Sequence, residues 1–346
     1  MRKRFLKYIL TSIAALVIGG ACTRIPLYEM TTNVKLNLKL KLDIDLDLDL
    51  SVETELDEEY STKIYGKKPE YVNVLFYDKN THRIVSSQIL KAEGGEINVP
   101  AGDYHMVVYN FGTESTQVDF LSHRHEAEAF TSDITKQMAS KLQWLKSESD
   151  STKASVKGYE DDPIIHEPDH LYVANEPDIH IPSFQEKEES ITIHAVASSI
   201  IDIYSLEVLG LKGTENIEKV EAFITGQIRS NYFGKEERSL DPATLYTGMR
   251  VDTENQRLYC IFGTFGKQPG EENKIYLDIT VTDSGGGQYR YIFDVTDQFD
   301  DPENDSNKIV IDATDIIDIP DAAHGGGGFT PSVDPWENEY IDIPLG

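Results

Sequence analysis

His166-Glu167-Pro168-Asp169-His170 has the H-E-x-x-H spacing that holds a zinc ion, with two imidazoles one helical turn apart and a glutamate as general base. That chemistry needs a helix. Pro168 would sit inside the turn, with no N–H to donate and a ring that clashes with the preceding turn. Pro163 and Pro177 flank the segment and no apolar helical period surrounds it, so the motif reads as a loop and not as a metal centre. Asp297, Asp300, Asp301, Glu303, Asn304 and Asp305 offer oxygen ligands for calcium, but the EF-hand's spacing and glycine are missing, and a solvated acidic loop is the expectation. Asp43, Asp45, Asp47 and Asp49 share one face of an extended run, with same-face neighbours about 7 Å apart and no glycine turn to fold them round an ion. His123 and His125 have no cysteine or carboxylate frame nearby and read as solvated. Cys260, inside Leu258-Tyr259-Cys260-Ile261-Phe262, reads as a small buried hydrophobe and not as a nucleophile.

The elements that must position these residues are mostly strands. From Val34 to Leu50 every even position is apolar and every odd one polar, a period of two that puts all the aliphatic side chains on one face. Tyr71–Tyr77, Ile84–Leu90, Glu96–Val99 and Asp103–Asn110 follow, separated by Asp78–Thr81, Gly94-Gly95 and Pro100-Ala101-Gly102, the strand–turn–strand pattern of an antiparallel sheet. A helix is expected over 132–146, where Ile134, Met138, Leu142 and Leu145 fall on one face and Ser132 or Asp133 caps the start. Residues 147–189, rich in Ser, Asp, Glu and Pro, suit a long loop or interdomain connection. Further strands are expected at 191–196, 200–209, 220–224, 258–264, 275–282, 289–295 and 309–311, with Gly285-Gly286-Gly287 turning a hairpin. A glycine run at 325–328 precedes a last candidate strand containing Trp336, Tyr340, Ile341 and Ile343.

The chain has 346 residues, 39% of them hydrophobic and 10% aromatic, enough for two domains with real cores. A formal charge of −28 argues against nucleic acid as a partner, because phosphate binding needs basic patches. Arg2, Lys3, Arg4 and Lys7 precede the predominantly apolar run Tyr8–Ile18 and the small residues Gly19-Gly20-Ala21, which is the layout of an export signal over 1–21. Its removal takes four basic and no acidic residues and shifts the charge from −28 to −32, so attraction to anionic lipid cannot hold the protein at a membrane. Cys22 follows directly and resembles the lipobox cysteine of bacterial lipoproteins, although Gly19 stands where leucine is usual. Acylation of Cys22 would leave Cys260 without a partner, so no internal disulfide is expected. No serine-hydrolase elbow, phosphate loop or dinucleotide fingerprint stands out, and no cofactor is called for. A glycosidase's carboxylate pair meets only in the fold, so this leaves no positive case for an enzyme without excluding one.

The lipobox, Val99-Pro100-Ala101-Gly102-Asp103-Tyr104 running into Val107-Val108-Tyr109-Asn110, His170-Leu171-Tyr172-Val173-Ala174, Gly213 to Gly226, and Asp334-Pro335-Trp336-Glu337 after the glycine run occur in that order along the chain. Together they resemble Bacteroidetes fimbrillin-like lipoproteins of the DUF5119 group, which are related to anchor and accessory subunits of type V fimbriae. The resemblance implies a mainly β fold, with two transthyretin-like antiparallel β-sandwich domains. Their expected division is a tether at 22–33, an N-terminal domain at 34–174, a linker at 175–189 and a C-terminal domain at 190–346. It further implies an outer-membrane lipoprotein held by acyl chains on Cys22 and joined to fimbrial subunits by β-strand addition, through the 34–50 run or the 336–345 segment, unless these close their own domains. Shaft subunits of the family lose their first strand by proteolysis after a basic residue. Lys63, Lys67 and Lys68 do not make a clear site of that kind, which favours an anchor or accessory subunit. The alternative is a surface glycan-binding lipoprotein. The residues after Cys22 leave the periplasmic and the outer face of the membrane both open.

Overall fold

The structure, a computed structural model, describes residues 31–40, 57–110, 113–134, 162–182, 191–270, 272–300 and 307–321. The chain is mainly β, built of three sheets and two short helices among these residues. The first sheet takes β1 (Thr31–Leu40), β2 (Tyr71–Asp78), β3 (Ile84–Lys91), β4 (Gly95–Pro100), β5 (Gly102–Asn110), β9 (Tyr172–Ile181) and β10 (Ile191–Ser199), in the order β3-β2-β5-β9-β10-β1-β4. β9 and β10 pair only at Ser198–Val173 and Ser199–Tyr172, and the sheet folds over on itself at that seam. Val72, Val74, Phe76, Met106, Val108 and Tyr172 from one layer meet Ile97, Val99, Ile193, Ala195 and Ala197 from the other in one buried cluster. β10 alternates buried and exposed residues, as a strand with one wet face must.

β2 and β5 are buried on both faces, which explains their unbroken apolar runs Val74–Tyr77 and Met106–Tyr109. Their second face, with Leu75, Tyr77, Val107 and Tyr109, packs on Ile201, Ile203, Ile228, Phe233, Ile261 and Phe265 of the C-terminal half. That half is a sheet in the order β18-β17-β12-β15-β16-β11-β19, from β11 (Asp202–Leu209), β12 (Ile217–Ile228), β15 (Pro242–Asp252), β16 (Arg257–Thr264), β17 (Tyr276–Asp283), β18 (Gln288–Asp294) and β19 (Lys308–Asp312), with β8 (Ile164–His166) paired to β15. Leu206, Ile224, Leu245, Phe262, Ile279 and Ile309 lie in its core. A small third sheet, β14-β13-β7-β6, bridges the halves. Its strands are β6 (Thr116–Asp119), β7 (Glu128–Thr131), β13 (Ser230–Tyr232) and β14 (Glu237–Arg238), and the crossing pairs are Ser230–Phe130 and Asn231–Ala129. Pairing is antiparallel except for β1–β10, β11–β19 and β8–β15.

Several expectations change at this level. The 132–146 helix does not begin where its cap was expected. Residues 132–134 run extended, Asp133 bridges to Ile165, and the Ile134 N–H donates to the Ile164 carbonyl at 2.9 Å, so pairing with β8 overrides the local helical spacing; 135–146 lie outside the described residues. The helix that forms is α1 (Glu58–Tyr65), capped by the Asp57 carboxylate on the Tyr60 N–H at 3.0 Å and ended by Gly66. Gly66 has φ +66°, and a Cβ there would stand 2.1 Å from the Tyr172 hydroxyl. Of the expected linker at 175–189, residues 175–181 fall in β9 and 183–189 lie outside the described residues. Pro177 is tolerated in β9 because the register against β5 shifts between Tyr104 and Met106, a bulge where a missing N–H costs no ladder bond. β10 lies inside the first sheet, between β9 and β1, and Ile201 that follows it packs in the core shared by the two halves. Of the long 34–50 run, 34–40 fall in β1, and 41–50 lie outside the described residues.

Candidate functional site

The H-E-x-x-H segment is a fastener. His166 ends β8 opposite Tyr246, and Glu167 pairs with Lys63 of α1 at 3.1 Å. Asp169 accepts backbone N–H bonds from Glu114 at 2.6 Å and Ser115 at 2.5 Å, while the Ser115 hydroxyl donates to the Glu167 carbonyl and the Thr116 hydroxyl to the Asp169 carbonyl. His170 is buried and stacked on Tyr172, with Nε2 2.8 Å from the Lys63 carbonyl and Nδ1 2.9 Å from the Ser199 hydroxyl. A carbonyl only accepts, so Nε2 carries the proton and Nδ1 accepts from Ser199; one neutral tautomer satisfies both. Burial pushes the His170 pKa down. Both ring nitrogens are thus committed to holding α1 and the β9–β10 seam in place.

The other sequence candidates divide. Cys260 is buried in the C-terminal core and burial pushes its thiol pKa far up, away from nucleophilic chemistry. Asp297 and Asp300 lie on α2 (Thr296–Asp300), whereas Asp301, Glu303, Asn304 and Asp305 lie outside the described residues, as do Cys22, Asp43, Asp45, Asp47, Asp49 and the 336–345 segment. His123 and His125 are not an isolated solvated pair. The β2–β3 turn and β5 bring His82 and His105 to them, a meeting that no sequence spacing could reveal.

A cleft of about 1060 Å³ lies between α1, the 113–115 loop, the fastener and β15. Two ion pairs line it, Lys63 with Glu167 and Lys67 with Glu114 at 3.8 Å. Lys63 donates as well to the Ile261 carbonyl at 3.1 Å. Lys63 therefore joins α1 to β16 and to the H-E-x-x-H segment. Tyr60 completes the docking of α1: its hydroxyl reaches the Tyr259 carbonyl at 3.4 Å, and the Arg250 guanidinium lies 3.9 Å from its ring centre while pairing with Asp57 and Glu59.

The strand edges are the remaining features with the means to engage another molecule. β1 is bonded on both sides, antiparallel to β4 from Thr31–Pro100 to Leu36–Gly95 and parallel to β10 from Val34–Ile191 to Leu40–Ala197. Among the described residues β3, β4, β18 and the short β6 and β14 pair on one side only, and β3 presents Val85 and Ile89 to solvent. The edge of β19 is sealed by a side chain. The Gln298 amide donates to the Val310 carbonyl at 2.9 Å and accepts from the Val310 N–H at 2.8 Å, imitating a neighbouring strand.

The family model described as "Domain of unknown function (DUF5119)" matches residues 51–248. The chain belongs to the DUF5119 family. The DUF5119 match runs from just before α1 into β15, across both halves and the core they share. A curated relative from Bacteroides ovatus, "Putative fimbrium anchoring subunit Fim4B", is 26% identical over 278 residues, covering 80% of this chain and 74% of its own. The crystal structure of a "putative adhesin" from Bacteroides ovatus superposes with a TM-score of 0.55 at 23% identity, over 84% of this chain and 93% of that one, and the two share the fold.

Proposed function

We propose that this DUF5119 protein is a non-enzymatic fimbrial anchor or accessory subunit of the cell envelope, held to the outer membrane by acyl chains on Cys22 and joined to other fimbrial subunits by β-strand addition. The observation that carries the reading is the likeness to Fim4B, which extends over most of both chains. The placement of β1 supports it. A first strand bonded on both sides suits a subunit that keeps its own sheet complete, as an anchor does, in contrast to a shaft subunit that gives up its first strand. The committed imidazole nitrogens of His170 and the buried Cys260 support a structural role for the residues that had suggested catalysis. In this reading the chain is two sandwiches divided at about residue 200 and locked together by α1 and the bridging sheet, with one-sided edges on β3, β4 and β18 as the places for a neighbour's strand.

The test is a pull-down of the intact protein from cells, with surface proteolysis in parallel. Fimbrial subunits are expected to co-purify, and the Cys22→Ser variant is expected to leave the membrane fraction. A C22S variant that stays membrane-bound refutes the anchor. A pull-down free of fimbrial subunits, together with sugar binding on a glycan array, refutes the assembly role in favour of the glycan-binding alternative.

A further inference from the structure

Four histidines meet where the N-terminal half touches the β13–β14 hairpin. His82 stands in the β2–β3 turn at φ +57°, His105 on β5, and His123 and His125 on either side of Arg124. The ring centres of His82 lie 4.2 Å from His125, 5.8 Å from His105 and 6.0 Å from His123, and His123 and His125 are 5.5 Å apart. The Nδ1 atoms of His82, His105 and His123 are buried without a hydrogen-bond partner among the described residues. Unpaired buried nitrogens are costly, and here three are gathered in one place. The segments are laced together by the backbone, Arg124 N–H to the His82 carbonyl at 2.9 Å and Ile84 N–H to the Ser122 carbonyl at 3.1 Å. Arg124 then reaches the other half: Nη1 donates to the Gly234 carbonyl at 2.7 Å, beside Phe233 in the shared core, and Nη2 lies 3.1 Å from His125 Nε2.

We infer that this imidazole cluster is a proton-sensitive joint, closed while His105 and His125 are neutral and loosened when mild acid charges these two against Arg124. The charges around it set the direction. Arg124, Lys79 from the β2–β3 turn and Lys235 from the hairpin are within electrostatic reach and repel an added proton. Asp78 from the turn, Asp178 from β9 and Glu237 from the hairpin attract one. Each of those carboxylates is already engaged, Asp78 by Asn80 and Thr81, Asp178 by Lys79, and Glu237 by Lys235 at 2.6 Å. Asp103 on β5 is taken by His180 of β9, and Arg83 and Glu126 are exposed at the rim. Burial, joined by these cations, pushes the pKa of His105 and of His125 below the ordinary imidazole value. A base held down in the fold is neutral above about pH 6.5 and costs the fold stability as pH falls from there toward its folded pKa. Imidazoles also bind transition metals. Among the described residues, however, no three histidine, cysteine or carboxylate side chains are placed to hold one, and the Arg124 guanidinium occupies the cluster.

Hydrogen–deuterium exchange on the full mature chain at pH 7.5 and 5.5, corrected for intrinsic rates, reads the joint directly. Segments 79–84, 121–127 and 232–238 are expected to exchange several-fold faster at pH 5.5, with β12 and β17 unchanged, and the difference is expected to vanish in the double variant H105Q/H125Q. Equal protection at both pH values, or an undiminished response in the variant, overturns the inference. NMR titration of the wild-type imidazoles decides without the variant, since midpoints for His105 and His125 at or above about 6.5 overturn it too. Protection of the same segments by zinc chloride at pH 7.5 overturns it in favour of a metal site.

Discussion

Replacing His170 with alanine tests whether the H-E-x-x-H segment fastens the fold or serves chemistry. The ring makes two hydrogen bonds, to the Lys63 carbonyl and the Ser199 hydroxyl, and stacks on Tyr172 at 5.7 Å with the planes 8° apart. A buried hydrogen bond contributes about 0.5–1.5 kcal/mol, and a carbonyl left unpaired costs about 1–3 kcal/mol. An aromatic stack adds about 0.5–1.5 kcal/mol. His170→Ala is therefore expected to lose about 2–6 kcal/mol at pH 7.5, read as a lower midpoint in urea unfolding followed by far-ultraviolet circular dichroism. The pH dependence carries a second check. Because burial holds the His170 pKa down, the wild type loses an additional share of stability as pH falls below about 6.5, a share that the variant, which keeps the other histidines, lacks. The gap between the two should be widest near neutrality and narrow toward pH 5. An unchanged midpoint at pH 7.5, or a gap that widens in acid, refutes the fastener. So does stoichiometric zinc in the wild type that disappears in the variant.

Other positions give independent tests. Arg257 is buried between Glu207 at 3.0 Å and Asp252 at 2.9 Å, so Arg257→Ala strands a buried Glu207 carboxylate with only Lys308 at 3.5 Å. A loss of about 3–5 kcal/mol is expected by urea unfolding, and less than about 1 kcal/mol contradicts the network. Gly66→Ala combines a left-handed backbone with a methyl group in the place of the Tyr172 hydroxyl, and is expected to lower the thermal midpoint by more than a Gly→Ala change in the open turn at Gly286. The Cys260 thiol, buried and pushed far up in pKa, should resist a thiol reagent in the native protein and react at once in denaturant; fast native labelling contradicts the assigned burial.

Much of the strand content was legible because burial has a period. β10 alternates and β2 is apolar on both faces, and each pattern follows from whether one or both sides of the strand meet a core. β9 was hidden by Glu176, Pro177 and Asp178, residues of a loop in any local reading, which a bulge against β5 makes compatible with a strand. The strands of the bridging sheet are only two to four residues long; β6–β7 and β13–β14 are local hairpins, and the β7–β13 pairing that joins them lies between residues about 100 positions apart, outside any local window of sequence. α1 carries its own local signals: Asp57 before Glu58-Glu59, Tyr60 and Ile64 one turn apart, and Gly66 to end it are start and stop signals at the right spacing, although the segment is only eight residues long. At the fastener, Pro168 rightly argued against a zinc helix. The positive role of His170 depends on Lys63 and Ser199, 107 and 29 residues away, and only the fold reveals it.

The order of these elements gives the proposed anchor a mechanical sense. Under the proposed anchoring at Cys22, tension would enter the described fold at Thr31, where β1 is bonded to β4 on one side and β10 on the other. The next described element, α1, is fixed to the opposite half through Tyr60, Lys63 and the Arg250 contacts. The two elements nearest the tether in sequence therefore grip one half each. Cutting the chain after Lys67 would remove both grips together. It would open the groove between β4 and β10 and also release the C-terminal half from α1. A subunit whose task is to hold gains from keeping this segment, because the same residues that complete its sheet also bind its halves together.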